Sequence, residues 1–283
     1  MRKLRQCDTA QFNTGVSKCP PDFGKMLGAI IVEDGTKLPA DLTAEKLEKL
    51  VHAHVSERVY GIVRFVEYAM DGGEAQTAAN GYGPEEFTGF SSRKDTYTMN
   101  KFYPELHAAI TRTAHLTRGA YFFDENNMLY GLNDGTDILA PFPMASVYSN
   151  ATPHPTSSAK STMSVSFAHV DAKAAAIDFD FVQLDFNPLR LTLGLVGVRL
   201  AKAEGAGNSY KLYEVTGGYD VTPIYGPLIA AAGDTVISGA ASACTYDETT
   251  QTLTIAASAD ADIRLMPASV LYENDIKGIE QVA

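Results

Sequence analysis

The sequence predicts a mainly β protein with a few helices, divided into two domains. Three observations support this. Apolar and polar residues alternate in many segments, at the period of two expected of a strand with one buried face. The 14 tyrosines and 13 phenylalanines, with no tryptophan, suit strands. The 283 residues exceed the roughly 100–200 typical of one domain. We therefore expect one domain over residues 1–190 and a second over residues 191–283, with one large β domain as the alternative.

The N-terminal elements follow from local signals. An apolar run from Met26 to Val32 ends in an acidic turn and predicts a strand. The segment Asp41-Leu42-Thr43 can cap a helix. Its buried stripe is predicted to contain Leu47, Leu50, Val51 and Val55. The β-branched and aromatic run from Val59 to Tyr68 predicts a second strand.

The centre of the chain predicts a strand, a short helix and a hairpin. The strand is Asp95–Asn100, and the helix follows Pro104, because proline is tolerated in the first turn of a helix. Two apolar runs, Ala120–Phe123 and Met128–Tyr130, flank a turn of residues that tolerate left-handed geometry.

Two later segments alternate as strands with one buried face. In Ser161–Phe167, we expect Met163, Val165 and Phe167 to point inward. In Asp178–Asp185, the aspartates Asp178 and Asp180 should lie opposite Phe179 and Phe181.

The C-terminal third predicts a small antiparallel β-sandwich of immunoglobulin-like size. From Leu191 onward, alanine, glycine and threonine increase, and short strands alternate with turns without a helix signal. The predicted strands are Tyr210–Val215, Asp234–Ile237, Ala243–Tyr246, Leu253–Ala256 and Asp262–Leu265.

A long loop between Asp71 and Ser92 is the candidate assembly element. Its stretch to Gly89 holds five glycines and one proline, and a long loop in a compact domain is typically a binding or assembly element. The candidate interface residues are Gly72, Gly73, Gly81, Tyr82, Gly83, Pro84 and Phe87. A nucleotide site at Gly81–Pro84 is disfavoured, because a third glycine is missing and Pro84 lacks an amide donor.

Charge and cysteine usage limit the classes of partner. Lysine plus arginine number 23 against 34 acids, a net charge of −11, which argues against non-specific binding to nucleic acid. No signal peptide or membrane-spanning run is evident, so we expect no membrane association. Cys7, Cys19 and Cys244 are either three free thiols or include a Cys7–Cys19 bridge.

No motif predicts catalysis, a cofactor or a metal. His52 and His54 point to different sides of a helix, and Asp124, Asp134 and Asp137 miss the spacing of a calcium loop. The best evidence for an enzyme would be paired acids such as Asp178 and Asp180, or a histidine near an acid such as His169 with Asp171. Carboxylate catalysis needs a defined separation across a cleft, which the sequence does not specify. We therefore expect a non-enzymatic protein.

The order of these features resembles the tail-tube and related virion proteins of bacteriophages, especially those of Bacteroidetes-type hosts. Four pieces carry the resemblance over most of the chain. They are the Pro20–Gly24 segment before a strand and helix, the long loop around Gly81–Gly83, the helix and hairpin containing Phe123–Gly131, and a small C-terminal β domain closing near Val270–Glu280.

The resemblance implies a β-sandwich or β-barrel-forming subunit with flanking helices, which assembles as a homo-oligomer into stacked hexameric rings around a DNA channel. The long loop and the N-terminal arm would reach neighbouring subunits, and other phage tail proteins would be partners. DNA would pass without specific binding, in a virion assembled in the host cytoplasm. Asp178 and Asp180 would either face the channel, where they repel phosphate, or merely solvate an outer face.

The extra C-terminal domain leaves two alternatives open. The protein could be a head or baseplate decoration protein. It could also be a carbohydrate-binding adhesin module, for which Tyr213, Tyr219 and Tyr225 are the candidate aromatic residues.

Overall fold

The computed structural model describes residues 23–79, 81–150, 154–158, 160–203, 207–257 and 262–282. Cys7 and Cys19, with the bridge considered between them, lie outside the described residues. The chain forms two compact units. The first unit is Met1–Leu47 with Val59–Thr192, and the second unit is Glu48–Arg58 with Leu193–Ala283. The predicted boundary between residues 190 and 191 lies two residues before the break at Thr192.

The first unit is built on antiparallel strands. They are β1 Met26–Glu33, β2 Tyr60–Val63, β3 Phe65–Gly72, β4 Ala75–Ala78, β5 Glu86–Phe90, β6 Arg93–Met99, β7 Arg118–Asp124, β8 Met128–Leu132, β9 Phe142–Ser149, β10 Met163–His169 and β11 Phe179–Gln183. The helices in this stretch of the chain are α1 Ala44–Val51, α2 Pro104–Thr113 and α3 Ala172–Ile177.

The main sheet follows the order β11-β8-β7-β9-β10-β6-β3, while β1 pairs with β7 and β2 pairs with β1. Strands along the whole sheet contribute side chains to one hydrophobic core. Within it, the rings of Tyr97 on β6, Phe122 on β7 and Phe167 on β10 pack against one another. Burying each such side chain contributes roughly 1.5–3 kcal/mol. The mainly β class predicted from alternation is confirmed.

Several predicted elements of the first unit are confirmed. The strand at Met26 is β1, and Met163, Val165 and Phe167 of β10 are all fully buried. In the β7–β8 hairpin, the buried Asp124 carboxylate accepts hydrogen bonds from Tyr130 at 2.5 Å and from the backbone amide of Met128 at 2.9 Å. This carboxylate therefore organises the turn that the sequence predicted.

Helix α1 begins as predicted but ends early. The Thr43 hydroxyl accepts from the backbone amide of Lys46, and Leu47 and Val51 are buried. The helix ends at Val51, so the prediction that Val55 belongs to its buried stripe is wrong, and Val55 is 54% exposed.

The second unit contains one mixed sheet rather than a sandwich. Its strands are β12 Val196–Lys202, β13 Ser209–Glu214, β14 Ile237–Ser238, β15 Ala240–Asp247, β16 Thr252–Ala257, β17 Arg264–Leu265 and β18 Ile279–Gln281. The sheet order is β15-β16-β13-β12-β18, with β12 and β18 parallel, and β14 pairs with β17. Helix α4, Thr222–Ala232, packs on this sheet, and α5 is Ala268–Glu273.

The predicted immunoglobulin-like antiparallel sandwich is therefore wrong, because a helix takes the place of the second sheet. Helix α4 contains Pro223, Gly226 and Pro227, which together hid any helix signal. Pro223 lies in the first turn, where its missing amide costs nothing. A Cβ at Gly226 would lie 2.6 Å from the ring of Tyr246, so the absence of a side chain allows this close packing.

Residues 48–58 complete the second unit, although they precede it by more than a hundred residues. The Arg58 guanidinium donates to both carboxylate oxygens of Glu280, at 2.6 and 2.9 Å. His52 accepts a hydrogen bond from the amide of Gly278 at 3.0 Å and stacks on Tyr272.

A membrane-spanning helix needs both sufficient length and an apolar sequence, and no helix among the described residues has both.

Candidate assembly surface

The predicted long loop is instead a two-stranded β-ribbon. Strands β3 and β6 pair from Phe65 and Met99 to Gly72 and Arg93. Beyond them, β4 and β5 pair from Ala75 and Phe90 to Ala78 and Glu86. We call the described residues of 65–99 the ribbon. The expectation of an irregular loop is wrong because its glycines lie mainly at the junction and tip, so composition concealed the strands.

The glycine pair Gly72 and Gly73 forms the junction between the two ladders. Their φ angles are +75° and +77°, in the left-handed region that glycine adopts without strain. A Cβ at Gly72 would lie 1.8 Å from the carbonyl oxygen of Ser92, so no other residue fits there. The junction is bridged by hydrogen bonds from the Gly73 amide to Ser92 O and from the Ser91 amide to Glu74 O.

The tip of the ribbon carries the other predicted interface residues. Gly81 has a φ of +62°, and Gly81, Tyr82, Gly83 and Pro84 are all exposed. Phe87 lies on β5 and is 58% exposed, with its ring edge-to-face against Phe90 at 5.3 Å. The seven candidate residues thus share one ribbon, at its junction, its tip and β5.

The ribbon surface is both apolar and acidic. Its large exposed apolar side chains include Val66, Tyr68 and Met70 on β3, in addition to those at the tip. The sequence from Phe65 to Ser92 contains five acids and no lysine or arginine; the acids are Glu67, Asp71, Glu74, Glu85 and Glu86. Clustered exposed apolar side chains are typical of interaction surfaces.

The base of the ribbon is fixed by a network around the buried carboxylate of Asp95. Its members are Tyr68, Arg93, Asp95 and His169, which we call the quartet. Asp95 is 1% exposed, and its Oδ2 lies 2.7 Å from His169 Nε2. Its Oδ1 accepts from the Tyr68 hydroxyl at 2.9 Å and from Arg93 Nε at 3.2 Å. Arg93 also pairs with Oδ2 at 3.0 Å.

The quartet holds Asp95 in its ionised form. Burial alone would raise the pKa of the Asp95 carboxyl, but the hydrogen bond from His169 and the charge and hydrogen bond of Arg93 outweigh it and leave the pKa below 3.8. Burial, reinforced by the neighbouring Asp95 charge, raises the pKa of Tyr68 to about 12. The hydroxyl therefore remains a hydrogen-bond donor at neutral pH.

The sequence did not identify the quartet. From the sequence, His169 and the nearby Asp171 were a candidate catalytic pair. In the structure, Asp171 instead caps α3 by accepting a hydrogen bond from the Lys173 amide at 2.8 Å. The His169 side chain is 1% exposed and packs edge-on against Phe142, so it does not face solvent. The partner of His169 lies 74 residues away in sequence, a separation that no local pattern encodes.

The two aspartates predicted to face a channel do not lie on one strand as expected. Asp178 is exposed and follows the last turn of α3, a helix that the sequence did not predict. Strand β11 begins at Phe179, and Asp180 is half-buried, with its Oδ1 accepting from the Phe181 amide at 2.9 Å. Phe181 packs on the core, whereas Phe179 is 38% exposed. That these aspartates line a channel stays a prediction.

The other candidate residues differ in their surroundings. A hydrogen bond from Lys37 to Asp134 lowers the pKa of that carboxyl to about 2. Burial raises the pKa of the Cys244 thiol to about 11. Of the three tyrosines considered for carbohydrate binding, Tyr219 is 69% exposed, while Tyr225 packs against the core and Tyr213 lies beneath Arg199. Within the described ranges, no group of three or more His, Cys, Asp or Glu side chains is placed to hold a metal ion.

Neither a comparison with protein-family models nor one with curated protein sequences finds a match to this chain.

Proposed function

We propose that this chain is a non-enzymatic structural subunit that assembles with copies of itself through the ribbon. The observation that carries the proposal is the ribbon: paired strands with large apolar side chains exposed along β3 and β5 and at the tip. Among the described strands, β3 pairs with β6 alone and ends the sheet order. Its outer edge therefore offers backbone donors and acceptors to another chain.

The specific form that we propose is the tail-tube subunit of a bacteriophage, in stacked hexameric rings around a DNA channel. The resemblance described above supports this form, and the ribbon occupies the position of the loop expected to reach a neighbour. The net charge of −11 supports a channel through which DNA slides without binding. Head and baseplate decoration are the related alternatives in the same class.

The first test removes the outer ribbon. Replacing residues 73–92 with Asn-Gly joins Gly72 to Arg93 through a two-residue hairpin turn and leaves the β3–β6 ladder intact. We expect a folded chain that stays monomeric at concentrations where the wild type forms rings or tubes. Sedimentation velocity and electron microscopy of both proteins measure the difference.

A point variant with a matched control sharpens this test. Phe87→Ser removes an exposed aromatic ring, and we expect it to weaken assembly at least about thirtyfold, as the loss of an interface hot spot of ~2 kcal/mol does. Thr88→Ser at the adjacent exposed position should leave assembly unchanged. Ring formation by the shortened variant would contradict the proposal, and a monodisperse wild-type monomer would favour a binding module instead.

A further inference from the structure

We propose that the quartet is an orientation lock for the ribbon. With the network intact, the outer ribbon of β4 and β5 is held in one direction, and when the network is broken, it swings about Gly72 and Gly73. The inference concerns one chain by itself and does not depend on the proposed assembly function.

The junction has the properties of a hinge. The β3–β6 ladder ends at Gly72 and Arg93, and the β4–β5 ladder begins at Ala75 and Phe90. Gly72, the last residue of the first ladder, and Gly73 are two consecutive left-handed glycines at the boundary between the ladders. Hinges are a few residues at the ends of elements that absorb changes in φ and ψ, and glycine does so at the lowest steric cost.

Arg93 connects this hinge to the network. A Cβ at Gly73 would lie 3.4–3.5 Å from the Arg93 side-chain carbons, so the Gly73 backbone lies directly against the arginine stem. The Arg93 guanidinium is bound to both oxygens of Asp95. Any change in the direction of the hinge therefore moves the stem of an arginine whose guanidinium is bound to the buried Asp95 carboxylate.

Asp95 is in turn fixed from the core. Its carboxylate bonds His169 of β10 and Tyr68 of β3, and the aspartate and histidine side chains are 2% and 1% exposed. Breaking one partner of a buried charged pair leaves an uncompensated charge, which is strongly unfavourable. The titratable and charged groups around the carboxylate are Tyr68, Arg93, Tyr97 and His169.

A second support of the ribbon begins at the same place. Strand β5 lies against α3, and α3 begins three residues after His169. Asp171 caps this helix through its bond to the Lys173 amide. His169 therefore bonds Asp95, which holds the hinge through Arg93, and it also lies just before α3, the helix that contacts β5. The hinge and the helix that supports β5 are thus both connected to His169.

The exposed pair at the same level of the ladder is a natural control. Asp71 and Lys94 face each other across β3 and β6 and form an ion pair of 2.8 Å. The Asp71 side chain is 76% exposed, and exposed ion pairs contribute little to stability because solvent and salt screen them. If charge pairing alone oriented the ribbon, breaking the Asp71–Lys94 pair would release the ribbon as much as breaking the Arg93–Asp95 pair.

The experiment measures the distance distribution between two spin labels by pulsed electron paramagnetic resonance. The labels are placed at Thr88→Cys on β5 and at Ala145→Cys on β9, two exposed positions of the first unit. Cys7 and Cys19 are replaced by serine and Cys244 by alanine. Labelled chains are diluted in excess unlabelled chain, so that distances between copies do not contribute.

We expect a single narrow distribution for the otherwise wild-type chain and one at least about twofold broader for Asp95→Asn, because a released hinge samples several orientations. Asp71→Asn should leave the width unchanged. Arg93→Gln, which breaks the same connection at a partly exposed side chain, replaces Asp95→Asn if that variant does not fold. A folded Asp95→Asn or Arg93→Gln with the wild-type width would overturn the proposal, as would equal broadening by Asp71→Asn.

Discussion

At the residue scale, Asp95 shows that the structural role of a carboxylate depends on its position in the fold. In the sequence it is the first residue of an alternating strand, indistinguishable from the solvated aspartates of turns. In the structure it is 1% exposed and holds Arg93 and His169 together. Alternation predicted the strand because strands are locally encoded, whereas the partner on β10 depends on tertiary pairing that the sequence does not display.

The stability of the first unit should depend on this carboxylate. We expect Asp95→Asn to lower the free energy of unfolding by about 3–5 kcal/mol, because it leaves the Arg93 charge without its buried partner. Urea unfolding followed by circular dichroism measures the change. Asp71→Asn, which breaks an exposed ion pair, should lower the free energy of unfolding far less. An equal loss in the two variants would show that burial of Asp95 does not matter.

The same residue gives a pH dependence with a defined sign. The pKa of Asp95 is lowered in the folded chain, so its contribution to stability is fully present above its unfolded value and is lost as the pH falls through the folded pKa. The stability difference between wild type and Asp95→Asn should therefore stay constant at neutral pH and shrink only below about pH 4. A difference that already shrinks between pH 7 and 5 would contradict this assignment. Unfolding at a series of pH values measures it.

At the element scale, helix α4 shows where local prediction fails. Its sequence has two prolines and a glycine and no charged residue, so neither helix propensity nor amphipathic period marks it. Strands β1, β7, β8 and β10, by contrast, follow directly from apolar patterning. The ribbon was missed for a related reason, because glycines at its junction and tip gave the whole segment the composition of a loop.

Gly226 of α4 provides a test in which a glycine-to-alanine substitution inside a helix should destabilise the protein rather than stabilise it. Replacing glycine by alanine inside a helix normally stabilises it by about 1 kcal/mol. Here a Cβ would lie 2.6 Å from the Tyr246 ring, so we expect Gly226→Ala to lower the thermal midpoint. Adding Tyr246→Leu should recover part of the loss, because contacting residues behave non-additively. A raised midpoint for Gly226→Ala alone would contradict the packing described.

At the scale of the whole molecule, the mainly β class was predictable from the sequence, but the composition of the second unit was not. The change in composition near Leu191 lies close to the break at Thr192. Nothing local marks residues 48–58 as part of the later unit. Their assignment depends on His52 and Arg58 meeting Gly278 and Glu280, which are more than 200 residues away.

The second unit should therefore fold only when both of its segments are present. We expect a fragment of residues 193–283 to lack a cooperative thermal transition, because its Glu280 and Gly278 lose Arg58 and His52. Linking residues 48–58 to the fragment through a flexible Gly-Ser linker should restore the transition, and the same linked fragment with Arg58→Gln should restore it less. Differential scanning calorimetry of the three fragments measures this, and a cooperative transition in the unlinked fragment would contradict the expectation.

This divided second unit also has a consequence for the order of events during synthesis. Residues 48–58 leave the ribosome long before Glu280 is translated, and the strands of the first unit emerge in the interval. The first unit can therefore fold before residues 48–58 can contact Gly278 and Glu280. Because the entropic cost of closing a chain rises only with the logarithm of its length, the long interval adds little to the final docking. A nascent chain that stalls before Gly278 and Glu280 are translated would thus carry a folded first unit and an incomplete second one.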